Sequence, residues 1–344
     1  MDESKRSLPK AALEQQRNHR RSLASPVETD SKPAGEKPGL RPDLGPADWR
    51  RPVRVGTFLL TTVLLFLTVR FSLTSVLGQT LDQLVLDQAI LAFPSAKLFA
   101  WPVTRSISLL GIAVITGAAL LIAVAKRRFA LGLRIIFLVV GANLTTQVIK
   151  NFLLDRPYLG VGFELPNSLP SGHVTVAVCA AIALTVVSGQ KIRVPVAMIG
   201  TGFAGAVSVS VVLLGWHRPS DVVAGVLVTF WWALLLVPHE RPQGFGTRLN
   251  AWLLAFYLLV LTGFLTFTGM ALGSLRQLVS TTVSLPRAPG EVTEAGIPLV
   301  IFQDYPWSMH VFTLGSLAAL VALVGFVIHF VVLLESGHKN KHYI

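Results

Sequence analysis

Eight apolar stretches, each about as long as a bilayer's hydrocarbon core is thick, recur at roughly 55–77, 106–125, 130–149, 171–188, 194–215, 220–238, 250–273 and 309–334. About 30 Å of hydrocarbon takes roughly 20 helical residues to cross. The fold class that follows is all-α, a polytopic membrane helical bundle. Hydrophobic residues make up 52% of the 344 residues and charged residues 14%, too few charges for the polar shell of a soluble domain of this size.

Lysine and arginine are retained on the cytoplasmic side during insertion, so their placement orients the bundle. With residue 1 inside, the segment through Arg54, the turns at 126–134, 191–193 and 241–248 and the final tail all face inward, and together they hold 22 of the 30 basic residues. Both termini are therefore expected in the cytoplasm of a cell-membrane protein. The formal charge of +12 is explained by this set, and no nucleic acid is expected among the partners. Residues 1–52 mix Lys, Arg, Glu, Asp, Pro and Ser without apolar periodicity, the composition of a disordered tail. The first apolar stretch is long and far from Met1, which fits an anchor and not a cleaved signal peptide. Cys179 has no second cysteine to pair with and is expected to pack.

Three polar segments interrupt this apolar pattern: Lys150 to Pro157, Pro170-Ser171-Gly172-His173, and His217-Arg218-Pro219-Ser220-Asp221. The residues between His173 and His217 form one helix inward, a short turn, and one helix outward, so the two imidazoles return to one face. The helix before Lys150 also runs outward, which brings Lys150 and Arg156 to that boundary on the extracytoplasmic side. Charges there are costly unless they serve a purpose. Pro170 suits the first turn of a helix, and Ser171 and Gly172 lie beside that turn's free N–H groups, a ready anion site. Lysine adds a point charge and arginine a planar fork matched to phosphate oxygens. Asp221 follows His217 by four residues, so its carboxylate can fix the imidazole tautomer, either within a helix or, if Pro219 starts the helix, through a local turn. The free nitrogen of His217 then suits attack on phosphorus, and His173 suits protonation of a leaving oxygen.

These segments resemble those of the type 2 phosphatidic acid phosphatase superfamily, integral-membrane lipid phosphatases with a six-helix core. The family pattern is a lysine, six residues and Arg-Pro; then Pro-Ser-Gly-His; then Ser-Arg, five residues, His, three residues and Asp. The resemblance implies that Lys150, Arg156, Ser171 and Gly172 bind phosphate, that His173 is the acid, and that His217 is a nucleophile oriented by Asp221, with no metal or other cofactor. The chain departs from the pattern twice. Five residues, not six, separate Lys150 from Arg156, and Val211 follows Ser210 where the family has arginine. Arg218, Arg105 and Arg70 are candidates to supply the missing charge. Arg218 is expected to point elsewhere, and the other two to snorkel to the interface.

The domain organisation that follows is a tail at 1–52, a phosphatase-like core at 53–240, two further transmembrane helices at 241–335 with an outer segment at 274–308, and a tail at 336–344. The expected activity is hydrolysis of a lipid phosphate or diphosphate, polyprenyl or phosphatidate-like, with membrane lipids as surroundings. The alternatives are phosphoryl transfer to a lipid or glycan, or a non-catalytic role in binding lipid phosphate or as a cell-envelope scaffold, which Val211 favours. Asp82 to Trp101 is expected to form an interfacial helix with Phe93, Phe99 and Trp101 at the lipid boundary. His329 is expected to be structural and His310 an interfacial histidine. Gly141, Gly202, Gly205 and Gly225 are expected to let helices approach closely.

Overall fold

The computed structural model describes residues 50–107, 109–162, 166–237, 246–283 and 306–335. Ten α-helices run through them: α1 Arg50–Thr74, α2 Val76–Ala92, α3 Lys97–Arg105, α4 Leu109–Ala125, α5 Phe129–Val148, α6 Gly172–Val187, α7 Arg193–Leu213, α8 Pro219–Leu236, α9 Thr247–Val283 and α10 Pro306–Glu335. No strand occurs among the described residues, so the chain is an all-α helical bundle, and its long apolar helices make it a multi-pass membrane protein. Nearly all of the expected N-terminal tail, the tail at 336–344 and most of the outer segment at 274–308 lie outside the described residues.

Six of the eight expected crossings are single helices of sufficient length and apolarity: Arg51–Thr74, Phe129–Leu153, Arg193–Leu213, Pro219–Leu236, Thr247–Gly269 and Met309–Leu334. The other two, α4 and α6, are shorter apolar helices. The interfacial helix expected over 82–101 is corrected. The chain there is two helices, α2 and α3, bent by 84° around Phe93 and a short 3-10 turn. Helix α2 is buried along Asp82 to Leu86, whereas Leu98, Phe99 and Trp101 of α3 are exposed. The reason is a polar stripe, Gln79, Asp82 and Gln83, that recurs at helical spacing and seeks partners inside the protein.

Helices α6 and α7 form the antiparallel hairpin at the centre, with α5, α8 and α10 against them. Three basic residues of the inward-assigned set also close helix ends. Arg54 donates through Nε to the carbonyl of Leu234 and through Nη2 to that of Val237 at 2.6 Å, at the C-terminus of α8. Lys126 donates to the Val187 carbonyl at 2.7 Å, at the C-terminus of α6, and Arg193 to the Ser188 carbonyl at 3.3 Å. Cations at helix C-termini satisfy orphan carbonyls and complement the helix dipole.

The two C-terminal helices join the core through small residues. A Cβ at Gly205 on α7 would stand 3.1 Å from Val321 of α10, and one at Gly325 on α10 would stand 2.5 Å from the Tyr257 ring of α9. Below Tyr257, His329 is fully buried with its Nδ1 2.7 Å from Asn250 Oδ1, while Asn250 Nδ2 donates to the His329 carbonyl at 3.2 Å. His329 is thus structural, as its sequence context suggests, and His310 is exposed. Replacing Gly325 by valine must push the Tyr257 ring off α10. Overpacking of this kind costs about 1–3 kcal/mol, so Gly325→Val is expected to lower the midpoint of thermal unfolding in detergent, while Gly202→Ala, at an open position, leaves it unchanged.

Candidate active site

The third polar segment owes its position to how α7 ends. Gly215 has φ +74°, a left-handed conformation that glycine adopts without strain, and a Cβ there would stand 2.9 Å from Ile90. Trp216 N–H then bonds back to the Val211 carbonyl at 3.0 Å and Gly215 N–H to that of Val212 at 2.9 Å, the paired pattern of a Schellman turn. His217 N–H reaches the Val211 carbonyl as well, at 3.1 Å. Position 211 therefore serves the site through its backbone, while its side chain is fully buried in the apolar core.

Helix α8 begins at Pro219, with Arg218 as its N-cap, so His217 lies just outside it. Of the two geometries open from sequence, the local turn is the one found, and the pairing survives: His217 Nδ1 is 3.2 Å from Asp221 Oδ2. That oxygen also accepts from Ser168 Oγ at 2.6 Å and from the Arg218 backbone N–H at 2.9 Å. The carboxylate is fully buried, and its other oxygen, Oδ1, has no partner. A buried carboxylate is tolerable only with several donors, and these donors fix it. With a carboxylate as acceptor, His217 Nδ1 is the donor, and Nε2 keeps a lone pair in the neutral ring.

The second segment is tied to the same residue through the backbone. Ser171 N–H donates to the Asp221 carbonyl at 2.8 Å. Pro170, expected within the first helical turn, instead precedes the N-cap: Ser171 holds that position, and Gly172 starts α6. The Ser171 hydroxyl is buried without a partner. Close approach of α6 to α8 depends on Gly225, where a Cβ would stand 2.8 Å from the Ser171 carbonyl. His173, one residue into α6, faces His217 with ring centroids 6.3 Å apart and lies 5.5 Å from the Trp216 ring, which packs edge-on against Trp101 at 5.4 Å.

The first segment arrives at the end of α5, where the helix widens into a π-turn over Ile149–Leu153 that contains Lys150. Such turns often mark functional positions. Here the changed winding coincides with the shortened spacing between Lys150 and Arg156. Asn167 links this turn to the second segment, since its Nδ2 donates to the carbonyls of Leu169 at 2.9 Å, Lys150 at 3.3 Å and Leu154 at 3.3 Å. Lys150 lies within electrostatic reach of His173.

Arg156 reaches the cluster from the following loop, with Nη2 buried and unpartnered. Burial, and then the neighbouring Arg218 guanidinium, lower its pKa from the ordinary guanidinium value, and the carboxylates of Asp82 and Asp221 oppose that shift. The expectation that Arg218 points elsewhere is therefore corrected. Its side chain is buried, with Nε 3.4 Å from Gln83 Oε1 and Nη1 3.4 Å from Ser168 Oγ. Its extended N-cap conformation (φ −82°, ψ 160°) and the acceptors on α2 and the loop account for the inward turn. Arg70 and Arg105 are exposed.

Helix α2 is the part of the site that the motifs did not reveal. Asp82 accepts from the Ser220 N–H at 3.0 Å and from the Ser220 hydroxyl. Gln79 donates to the Pro157 carbonyl at 2.9 Å, next to Arg156, and Gln83 bonds Arg218. The spacing of these three residues was the available signal. Among the described residues, no group of three or more His, Cys, Asp or Glu side chains is arranged to hold a metal ion.

Two imidazoles, a buried carboxylate and buried guanidiniums thus meet at one end of the bundle, on the elements from α5 to α8. A family model described as the PAP2 superfamily matches residues 131–243, the stretch that holds every one of these groups except those on α2. Over these residues the chain is similar to the PAP2 superfamily. No curated protein and no solved structure matches the chain. That likeness points to phosphatase-type activity on a phosphate substrate. Helices α1 to α4 precede the matched stretch, and α9 and α10 follow it.

Gly215→Ala puts a Cβ at a positive φ and against Ile90, so it is expected to cut turnover more than stability by displacing His217. Asp221→Asn keeps the shape but loses the charge that orients the imidazole; in a Ser-His-Asp protease the equivalent change costs roughly 10⁴-fold in kcat. A loss of at least about 10²-fold in kcat, with KM little altered, is expected in a steady-state phosphate-release assay.

Proposed function

We propose that the protein hydrolyses a lipid phosphate or diphosphate at the extracytoplasmic face of the cell membrane, through a phosphohistidine on His217 and without a metal. The observation that carries this is the pair of imidazoles 6.3 Å apart, one of them held through Nδ1 by Asp221. His217 Nε2 attacks phosphorus, a P–N bond forms, and the bond from phosphorus to the lipid or diphosphate oxygen breaks. His173 gives its proton to that oxygen. Water then attacks the phosphohistidine, His173 takes a proton from it, and the P–N bond breaks to release inorganic phosphate. A covalent intermediate divides one difficult displacement into two.

Lys150, Arg156 and Arg218 supply the charge that spreads phosphoryl negative charge in the transition state. The unpartnered Arg156 Nη2 and Ser171 hydroxyl are donors that a bound phosphate would satisfy. The first turn of α6 adds backbone N–H groups. Val211 replaces the family arginine, and Arg218 brings a second guanidinium to the side of Arg156. The orientation, with both termini cytoplasmic, rests on the distribution of lysine and arginine.

The test is phosphate release from polyprenyl and phosphatidate-like phosphates by purified protein in detergent with no added metal. His217→Ala is expected to abolish release, and His173→Ala to slow it by about 10²–10⁴-fold while an acid-labile phosphoryl adduct accumulates on His217 if leaving-group protonation is not limiting. Unchanged release in both variants would remove the phosphohistidine. Phosphate passed to an added lipid or glycan would instead establish transfer, and binding without release by the wild type would establish the non-catalytic reading. Val211→Arg forces a guanidinium into a packed apolar position and is expected to lower stability without raising kcat.

A further inference from the structure

A cavity of about 470 Å³ opens between α1, α2, α8, α9 and α10, within the size range of small-molecule sites. We infer that it holds the hydrocarbon chain of the lipid whose phosphate the histidine site takes; this rests on the function proposed above. Along α8 its wall runs from Pro219 and Ser220 through Val223 to Leu227, a depth of about 12 Å at 1.5 Å per residue. Along α10 it extends from Phe312 to Phe326, about 20 Å. Its upper end lies at the first turn of α8, where the lining residue Ser220 is three residues from His217 and adjoins Asp221, so a phosphate at His217 and a chain in the cavity are parts of one ligand.

The chemistry of the wall selects hydrocarbon over water. Its hydroxyls are turned back on their own helices: Thr68 donates to the Leu64 carbonyl at 2.8 Å, Ser72 to Thr68 at 2.7 Å and Ser316 to Phe312 at 2.8 Å. Asp82 and Ser220 satisfy each other at the rim. Thr268 alone among the lining hydroxyls is buried without a partner, and ordered water needs two to four polar partners. The lining of α1, α2, α9 and α10 lies outside the PAP2 match, so these helices supply chain selection beside the histidine site.

The experiment uses the full chain in detergent micelles and compares a phosphate monoester on a chain of sixteen or more carbons with a water-soluble four-carbon alkyl phosphate. Ala319→Trp and Leu261→Trp each fill the cavity from helices remote from His217. Either is expected to raise KM for the long-chain substrate tenfold or more while kcat/KM for the short one stays at the wild-type value. Leu261 is half-exposed and carries the test if Ala319→Trp fails to fold. Equal effects on both substrates, or none on either, would overturn the proposal. A long-chain phosphate bearing a photoreactive diazirine, added to His217→Ala protein, is expected to label α9 and α10 and to be displaced by unlabelled long-chain phosphate but not by the corresponding alcohol. Labelling confined to the outward faces of α5, or equal displacement by the alcohol, overturns it too. If wild type releases no phosphate from any substrate, the proposed activity fails while this labelling still decides the cavity.

Discussion

The buried carboxylate of Asp221 is the constraint on which the rest of the site depends. Its side chain holds His217, Ser168 and the Arg218 backbone, and its carbonyl receives the Ser171 N–H. One residue therefore joins the segment before α6 to the segment before α8. Removing a carboxylate from water is expensive unless hydrogen bonds replace its hydration, and those replacements converge only when both segments are correctly placed. The cost of burial thus becomes geometric selection of one arrangement of the loops.

A second layer of the same logic comes from α2. Gln79, Asp82 and Gln83 bind the backbone beside Arg156, the first turn of α8 and the Arg218 guanidinium respectively. Two buried guanidiniums repel unless anions lie near them, and Asp82 and Asp221 both act on Arg156. The cluster is close to charge balance without a ligand, while Arg156 Nη2 and the Ser171 hydroxyl retain unmet donor capacity. The phosphate of the proposed reaction would meet donors already fixed in position, which is how electrostatic stabilisation avoids reorganisation at the moment of reaction.

The bundle and the convergence of His173, His217, Lys150 and Arg156 were readable because both follow from counting. A span of about 20 apolar residues fixes where a chain turns, and antiparallel hairpins fix which turns share a face. The inward turn of Arg218 was not readable, since it depends on a backbone dihedral at the N-cap and on acceptors far away in sequence, Gln83 and Ser168. The bend between α2 and α3 was missed for a related reason. Leu98, Phe99 and Trp101 carry an interfacial signal, and the polar stripe of α2 that pulls the preceding helix inward was weighed as part of the same element. Asn167 carried only a turn preference, and its role in joining Lys150 to the Pro170 segment appears only once both are folded.

The fate of position 211 shows how a motif residue can change without the motif collapsing. In the Schellman turn that ends α7, it is the Val211 carbonyl that receives the Trp216 and His217 N–H groups, a service any side chain permits. The side chain is not needed for that bond, and here valine completes the apolar core. In the proposed function, an arginine there would bring a charge to the phosphate from the helix that ends at the site, and Arg218 brings one from the helix that begins there. The two positions flank the same turn, with a buried valine on one side of Gly215 and on the other a buried guanidinium held by α2 and a loop.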